Sequence, residues 1–284
     1  MNDINYCSIN NRNTAFKNIT RLLYNAIYSE IYEDLPLKME VEENIGKMLR
    51  SSIMMERPFF QGRLWLCWVI NYLVTMEIVE KDNTVVQRML SLYSRPDMIW
   101  DACPDYIPEN CNVLNDEALI LSNLMSLEET HARYVVQEWA INHINRLERL
   151  FFTNKSMVSN YTPSPTFLIS SIIFLRKADV YKIYPTKVPN LMEFIELHLN
   201  NITAYTDKIL YSAINGENFC IDRENLDNIE LNKLYFFGFI FRLNLPIVIS
   251  NVPYYDDIPE GKNQEQYLFI ADKILKHKKL TRHE

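Results

Sequence analysis

The chain has 284 residues, a formal net charge of −7 and a mean hydropathy of −0.17, with 5 glycines against 12 prolines. The charge disfavours a general nucleic-acid binder, whose phosphate contacts need a basic face. The glycine scarcity disfavours phosphate-cradling loops and hairpin-rich β-folds, both of which depend on positive φ.

Helical periodicity dominates from the start. In "TAFKNITRLLYNAIYSEIYED", Phe16, Ile19, Leu23, Ile27 and Ile31 form one stripe, with Pro36 read as the end of the segment. Val41, Ile45, Met48 or Leu49, and Ile53 form a second, stopping before Pro58. The third segment, "FFQGRLWLCWVINYLVTMEIVEK", is apolar around most of its circumference between Leu64 and Ile70, which predicts a central helix with Trp65 and Trp68 buried. Its apolar core is far shorter than the ~20 residues a bilayer requires. "DNTVVQRMLSLYSR" predicts a fourth helix, capped by Asp82 or Asn83. Residues 95–115, with Pro96, Pro104 and Pro108, read as a long connection.

Ser126 and Glu129 match a capping box ahead of a helix whose buried face is Val136, Ala140, Leu147 and Phe151. After the loop "TNKSMVSNYTPSP", helices resume at "PTFLISSIIFLRK" and "PNLMEFIELHLNNITAYTDKILYSAING", each opened by proline. "IELNKLYFFGFIFRLNL" reads as a buried helix, "PIVIS" as a short extended run, and "NVPYYDDIPEG" as a turn-rich loop. "NQEQYLFIADKILKHKK" closes the chain as an amphipathic helix with Tyr267, Ile270 and Ile274 inward. The expectation is therefore an all-α fold: a multi-helix bundle or two stacked helical halves, with at most one short hairpin near 246–255. It is taken as a single domain over 1–284, with a soft boundary within 95–125.

No strong catalytic motif is present: no Gly-x-Ser-x-Gly, Walker loop or His-Glu-x-x-His. Glu128 and His131 form a Glu-x-x-His without the second copy a di-metal site needs, so a solvated helix face is expected. His143 falls on the apolar side of its helix and reads as a core histidine. His198 and Glu196 are two apart and do not share a helix face. Asp256-Asp257 lies in a proline-bracketed loop, away from the facing helices an isoprenoid synthase would need. The basic "KHKKLTRHE" suits a helix C-terminus, where the dipole favours cations, better than RNA. No catalytic residue, metal ligand or cofactor is assigned.

Cys7, Cys67, Cys103, Cys111 and Cys220 are scattered and odd in number, which points to a reducing compartment. No leader pattern precedes them, and a cytoplasmic location is expected. Acidic residues gather at Glu30, Glu33, Asp34, Glu40, Glu42 and Glu43 and through "DRENLDNIE". Solvated helix ends explain these most simply, and a docking surface for a cationic protein is the sharper alternative.

Leu231–Pro259 carries Leu234, Gly238, Pro246, Val248, Tyr254 or Tyr255, and Pro259 in an apolar helix, a Pro/Val/Ile run and an Ile-Pro ending. This stretch resembles the C-terminal ending of a large, mostly α-helical family of bacterial immunity proteins, which protect a cell from its own polymorphic toxins. The resemblance implies a stoichiometric inhibitor with no active site, bound to a cognate protein toxin of basic character. Nucleic acid and membrane are not expected as partners, and a homodimer stays open. The expected contact rim is Tyr254, Tyr255, Asp256, Asp257 and Glu260. The alternative is an α-helical enzyme or small-molecule-binding protein with an inter-helix pocket.

Overall fold

A computed structural model describes residues 4–53, 60–80, 130–153, 163–200, 202–217, 226–243, 252–258 and 264–282, with isolated positions between them. Of these, 79% are helical and none lies in a strand. The fold is all-α. The helices are α1 (Ile4–Tyr32), α2 (Leu35–Ile53), α3 (Phe60–Thr75), α4 (Thr130–Glu148), α5 (Pro165–Val180), α6 (Val188–Leu199), α7 (Tyr205–Ile214), α8 (Asn228–Ile240) and α9 (Gln264–Arg282). A π-helical turn, Arg149–Thr153, extends α4, and a 3₁₀ turn spans Tyr255–Asp257. The helix expected at 82–95, the connection at 95–115 and the "PIVIS" run lie outside the described residues, as do the Ser126 cap and Glu128.

The chain forms two compact units. The first comprises residues 1–56, 69–81 and 212–284, and the second residues 57–68 and 82–211. In the first, α1 packs on α2 and α9, and α9 packs on α8. Leu268, Phe269, Ile270, Ala271, Asp272 and Leu275 are buried because α9 is covered by two neighbours, whereas Tyr267 and Ile274 of the expected Tyr267–Ile270–Ile274 stripe are only half-buried. Tyr235 meets Phe269 at 5.4 Å between ring centroids, and Tyr72 meets Phe239 at 5.5 Å. Gly238 permits the α8–α9 approach: a Cβ there would fall inside van der Waals contact of Leu245 Cδ1 and 3.0 Å from Phe269 Cε2.

In the second unit α6 packs on α5 and α4. Trp65 and Trp68 are buried and stacked at 4.8 Å. His143 is fully buried with its ring edge-on to Phe174 at 4.7 Å, the core position its register predicts. Ser164 caps α5, its side chain accepting from Phe167 N at 3.3 Å, with Pro165 at the first helical position. The expected run over 189–216 divides into α6 and α7. Asn200 caps the first, and Ile202 and Thr203, poor helix formers, fall in the break.

Helix ends show how a glycine-poor chain turns. Glu33, Glu77, Lys182 and Arg242 adopt φ of 58°, 53°, 56° and 55°, alongside Gly216 at 69°. At each, the next amide bonds a carbonyl five residues back: Asp34 to Ser29, Ile78 to Leu73, Ile183 to Ala178, Leu243 to Gly238 and Glu217 to Ser212, all at 2.9–3.0 Å. These are Schellman caps, and four of the five place a side chain where glycine is favoured.

Lysines of α9, two of them in the basic C-terminal segment, have a structural task in three of these turns. Lys278 donates to Ile31 O at 2.8 Å, Lys279 to Met76 O, and Lys273 to Leu243 O at 3.4 Å. Three lysines of α9 thus reach carbonyls at the C-terminal ends of α1, α3 and α8, where the helix dipole is negative. Pro36 also has a different role from the one expected. It sits in the first turn of α2, behind Asp34, whose Oδ1 accepts from Leu37 N at 3.0 Å. The turn at Glu33, not the proline, ends α1.

Candidate functional site

The 252–258 segment lies against the C-terminal half of α1, within the first unit. Tyr24, Tyr28 and Tyr32 recur every four residues and so stack along one side of α1. The last two rings are 4.4 Å apart. Tyr254 packs on Tyr28 at 4.7 Å, and Tyr255 meets Tyr24 at 5.5 Å in an edge-on arrangement. Hydrogen bonds fix the turn. Tyr24 OH donates to Pro253 O at 2.7 Å, Tyr32 OH to Val252 O at 3.2 Å, and Tyr254 OH to Asp34 Oδ2 at 2.9 Å. Arg21 Nη2 lies 2.7 Å from Asp256, and its guanidinium sits 5.5 Å over the Tyr255 ring.

Four of the five residues expected at the rim therefore share this structure, and Glu260 lies outside the described residues. Their roles differ. Tyr255 turns inward onto Tyr24, Asp256 is held by Arg21, and Asp257 is exposed. Tyr254 packs with one face and remains 37% exposed with the other.

The structure adds residues the sequence reading missed. Beside Tyr254 and Asp34, the α1–α2 turn presents Tyr32 (47% exposed), Leu35 (70%) and Met39 (71%). Leu35 and Met39 are four apart, out of register with the buried Leu37, Val41 and Ile45. That mismatch is the signal that would have found them. Glu33, Glu40, Asp256 and Asp257, all exposed, belong to the same segments. The phenol of Tyr254 is held above the ordinary tyrosine range, first by its bond to Asp34, with Glu40 and Tyr28 adding to the effect. Tyr28 is raised by burial, then by Tyr32, Asp34 and Asp257. The corner is aromatic, apolar and negative.

The second unit holds an open groove of about 690 Å³ between the end of α4 and α6. Phe152, Phe194 and Leu197 supply its apolar lining, with Glu148, Lys187 and Glu193 as charged groups. Lys187 is committed internally: it donates to Glu148 and to Asn145 Oδ1 (3.0 Å) and lies 4.7 Å over the Tyr184 ring. The Glu148 bond raises its pKa above the usual lysine range. His198 donates Nδ1–H to Phe194 O at 2.8 Å and stacks on Phe194 at 4.3 Å, while Glu196 pairs instead with Arg176 at 3.1 Å. Among the described residues no three His, Cys, Asp or Glu side chains are placed to hold a metal, and no helix is long and apolar enough to cross a membrane. No family model, curated protein or solved structure matches the chain.

Proposed function

We propose that this chain is an immunity protein that neutralises a cognate bacterial toxin by direct stoichiometric binding, and that the α1–α2 corner with the 252–258 turn is its docking surface. The observation that carries this reading is the corner itself. Tyr32, Leu35, Met39 and Tyr254 expose apolar surface among carboxylates, on a backbone fixed by three tyrosine hydrogen bonds. Aromatic side chains in a rigid setting are the usual anchors of tight interfaces, because little ordering is lost on binding. The carboxylates and the net charge of −7 suit a basic toxin and would accelerate its encounter. The same charge disfavours pairing of two copies through this face. The resemblance of residues 231–259 to the helical immunity family supplies the class of partner, and the cytoplasm is where such an inhibitor meets an incoming toxin.

The test is protection of cells expressing the toxin from an adjacent reading frame. Leu35→Asp with Met39→Asp alters two exposed side chains and should leave the fold intact, since surface substitutions fall within about ±0.5 kcal/mol. Protection should be lost. Retained protection by the folded double variant would rule the corner out. A second reading, a small-molecule-binding protein, rests on the groove lined by Phe152, Phe194 and Leu197. Metabolite extracts that raise the melting temperature of the wild type, with no effect on Phe194→Ala, would favour it.

A further inference from the structure

We propose that the open end of the tyrosine row is a guanidinium site: it takes one arginine side chain of the docking partner, stacked on Tyr32 and Tyr254 and countered by Asp257 and Glu40. The inference rests on the docking reading and names the chemistry that the surface selects.

The protein shows the same recognition at the other end of the row. There Arg21 lies over Tyr255 at 5.5 Å and pairs with Asp256 at 2.7 Å. An aromatic face plus an adjacent carboxylate is the pattern a planar guanidinium satisfies twice, by stacking and by charge. At the open end the rings are Tyr28, Tyr32 and Tyr254, joined at 4.4 and 4.7 Å, and the outer two are substantially exposed.

The nearby charges divide into committed and uncommitted groups. Lys38 is held by Glu30 at 2.6 Å, and Lys278 by Ile31 O and Glu33. Asp34 uses one oxygen for Leu37 N and the other for Tyr254 OH. Among the described residues Glu40 accepts a long 3.5 Å contact from Asn44, and neither it nor Asp257 forms an ion pair. Both act electrostatically on the row, Asp257 on Tyr28 and Glu40 on Tyr254. Among the described residues, exposed rings thus share the corner with two carboxylates that no cation pairs. An ammonium would satisfy the charge, but it is more strongly hydrated and cannot lie flat on the rings, so arginine is preferred over lysine.

The test uses the full chain with a short capped peptide, Gly-Leu-Arg-Leu-Gly, and its lysine and citrulline counterparts. The ring signals of Tyr28, Tyr32 and Tyr254, assigned from single Tyr→Phe variants, are followed by NMR. The arginine peptide should shift these signals and bind about two- to fivefold more tightly than the citrulline peptide, the range expected for an exposed cation–aromatic contact. Tyr32→Leu, or Glu40→Gln with Asp257→Asn, should abolish that preference while circular dichroism stays unchanged. Equal binding of arginine and citrulline peptides, or shifts confined to other rings, overturns the proposal. So does the absence of any shift at about 20 mM peptide, since even weak binding at ~1 mM would then be saturated. Because no toxin enters this experiment, an arginine preference without toxin protection would refute the immunity reading alone. Protection through the corner without an arginine preference would refute this site alone.

Discussion

The buried carboxylate of Asp272 offers the sharpest test of the packing of the first unit. Asp272 is 1% exposed, accepts from Tyr72 OH at 2.7 Å and from Lys276 Nζ at 2.6 Å, and so joins α9 to α3. Tyr72 is itself buried, and burial together with Asp272 holds its phenol well above the ordinary range. Tyr72→Phe removes one hydrogen bond to a charged acceptor and should cost about 2 kcal/mol. Asp272→Leu is worse. It leaves the Tyr72 hydroxyl without its acceptor in a dry interior and strands Lys276, which is partly exposed and can rehydrate, so about 3–5 kcal/mol is expected. In the double variant the stranded hydroxyl is gone, and the cost should not exceed that of Asp272→Leu alone. The coupling is then about 2 kcal/mol. Urea unfolding followed by circular dichroism, with m-values compared across the four proteins, measures it. Costs that add to within about 0.5 kcal/mol would refute the pairing.

Three further outcomes follow from the same structure. Gly238→Ala gains about 1 kcal/mol of helix propensity but forces a methyl into buried Leu245 and Phe269, so a net loss of about 1–2 kcal/mol is expected in urea titrations; stabilisation would mean that α8 and α9 are less close than described. Lys182→Gly relieves a left-handed side chain at a helix end for the loss of an exposed 3.4 Å ion pair, and should stabilise by about 0.5–1 kcal/mol; a lowered melting temperature would contradict the strained cap. Tyr24 and Tyr72 both have phenol pKa values raised by burial, so they keep their protons in the folded state where the unfolded chain begins to lose them, near pH 10. Their contribution is complete below that pH and is lost as pH rises toward the folded values. Melting temperature should therefore fall above about pH 10, less steeply in Tyr72→Phe, and a flat profile would contradict it.

The all-α class was legible because three-four spacing is a local property, and the stripes through Ile19–Ile31 and Val136–Leu147 are buried as read. What the sequence hid was relational. Pro36 suits both the end of one helix and the start of the next, and only the left-handed turn at Glu33 decides between them. The lysines of "KHKK" fit any helix C-terminus; that Lys278 and Lys279 cap α1 and α3 follows from tertiary placement. The capping box of α8, Asp227 with Glu230, is a local signal carried by "DNIE". At the candidate site, Tyr254–Asp257 drew notice through composition. Their clamp, Tyr24, Tyr28 and Tyr32, lies more than two hundred residues away, and periodicity shows such spacing without showing what packs on it. Leu35 and Met39 are out of register with the buried stripe of α2, so core periodicity does not mark them.

The most direct measurement is a calorimetric titration of the proposed toxin, sought as the product of a neighbouring reading frame, with the wild-type chain and with the Leu35→Asp/Met39→Asp variant. The account predicts saturable one-to-one binding by the wild type, weakened by added salt as expected for a carboxylate-lined face, and at least tenfold weaker binding by the folded variant, a loss of about 1.4 kcal/mol. Equal affinity of the two proteins, or no binding by the wild type, would contradict it.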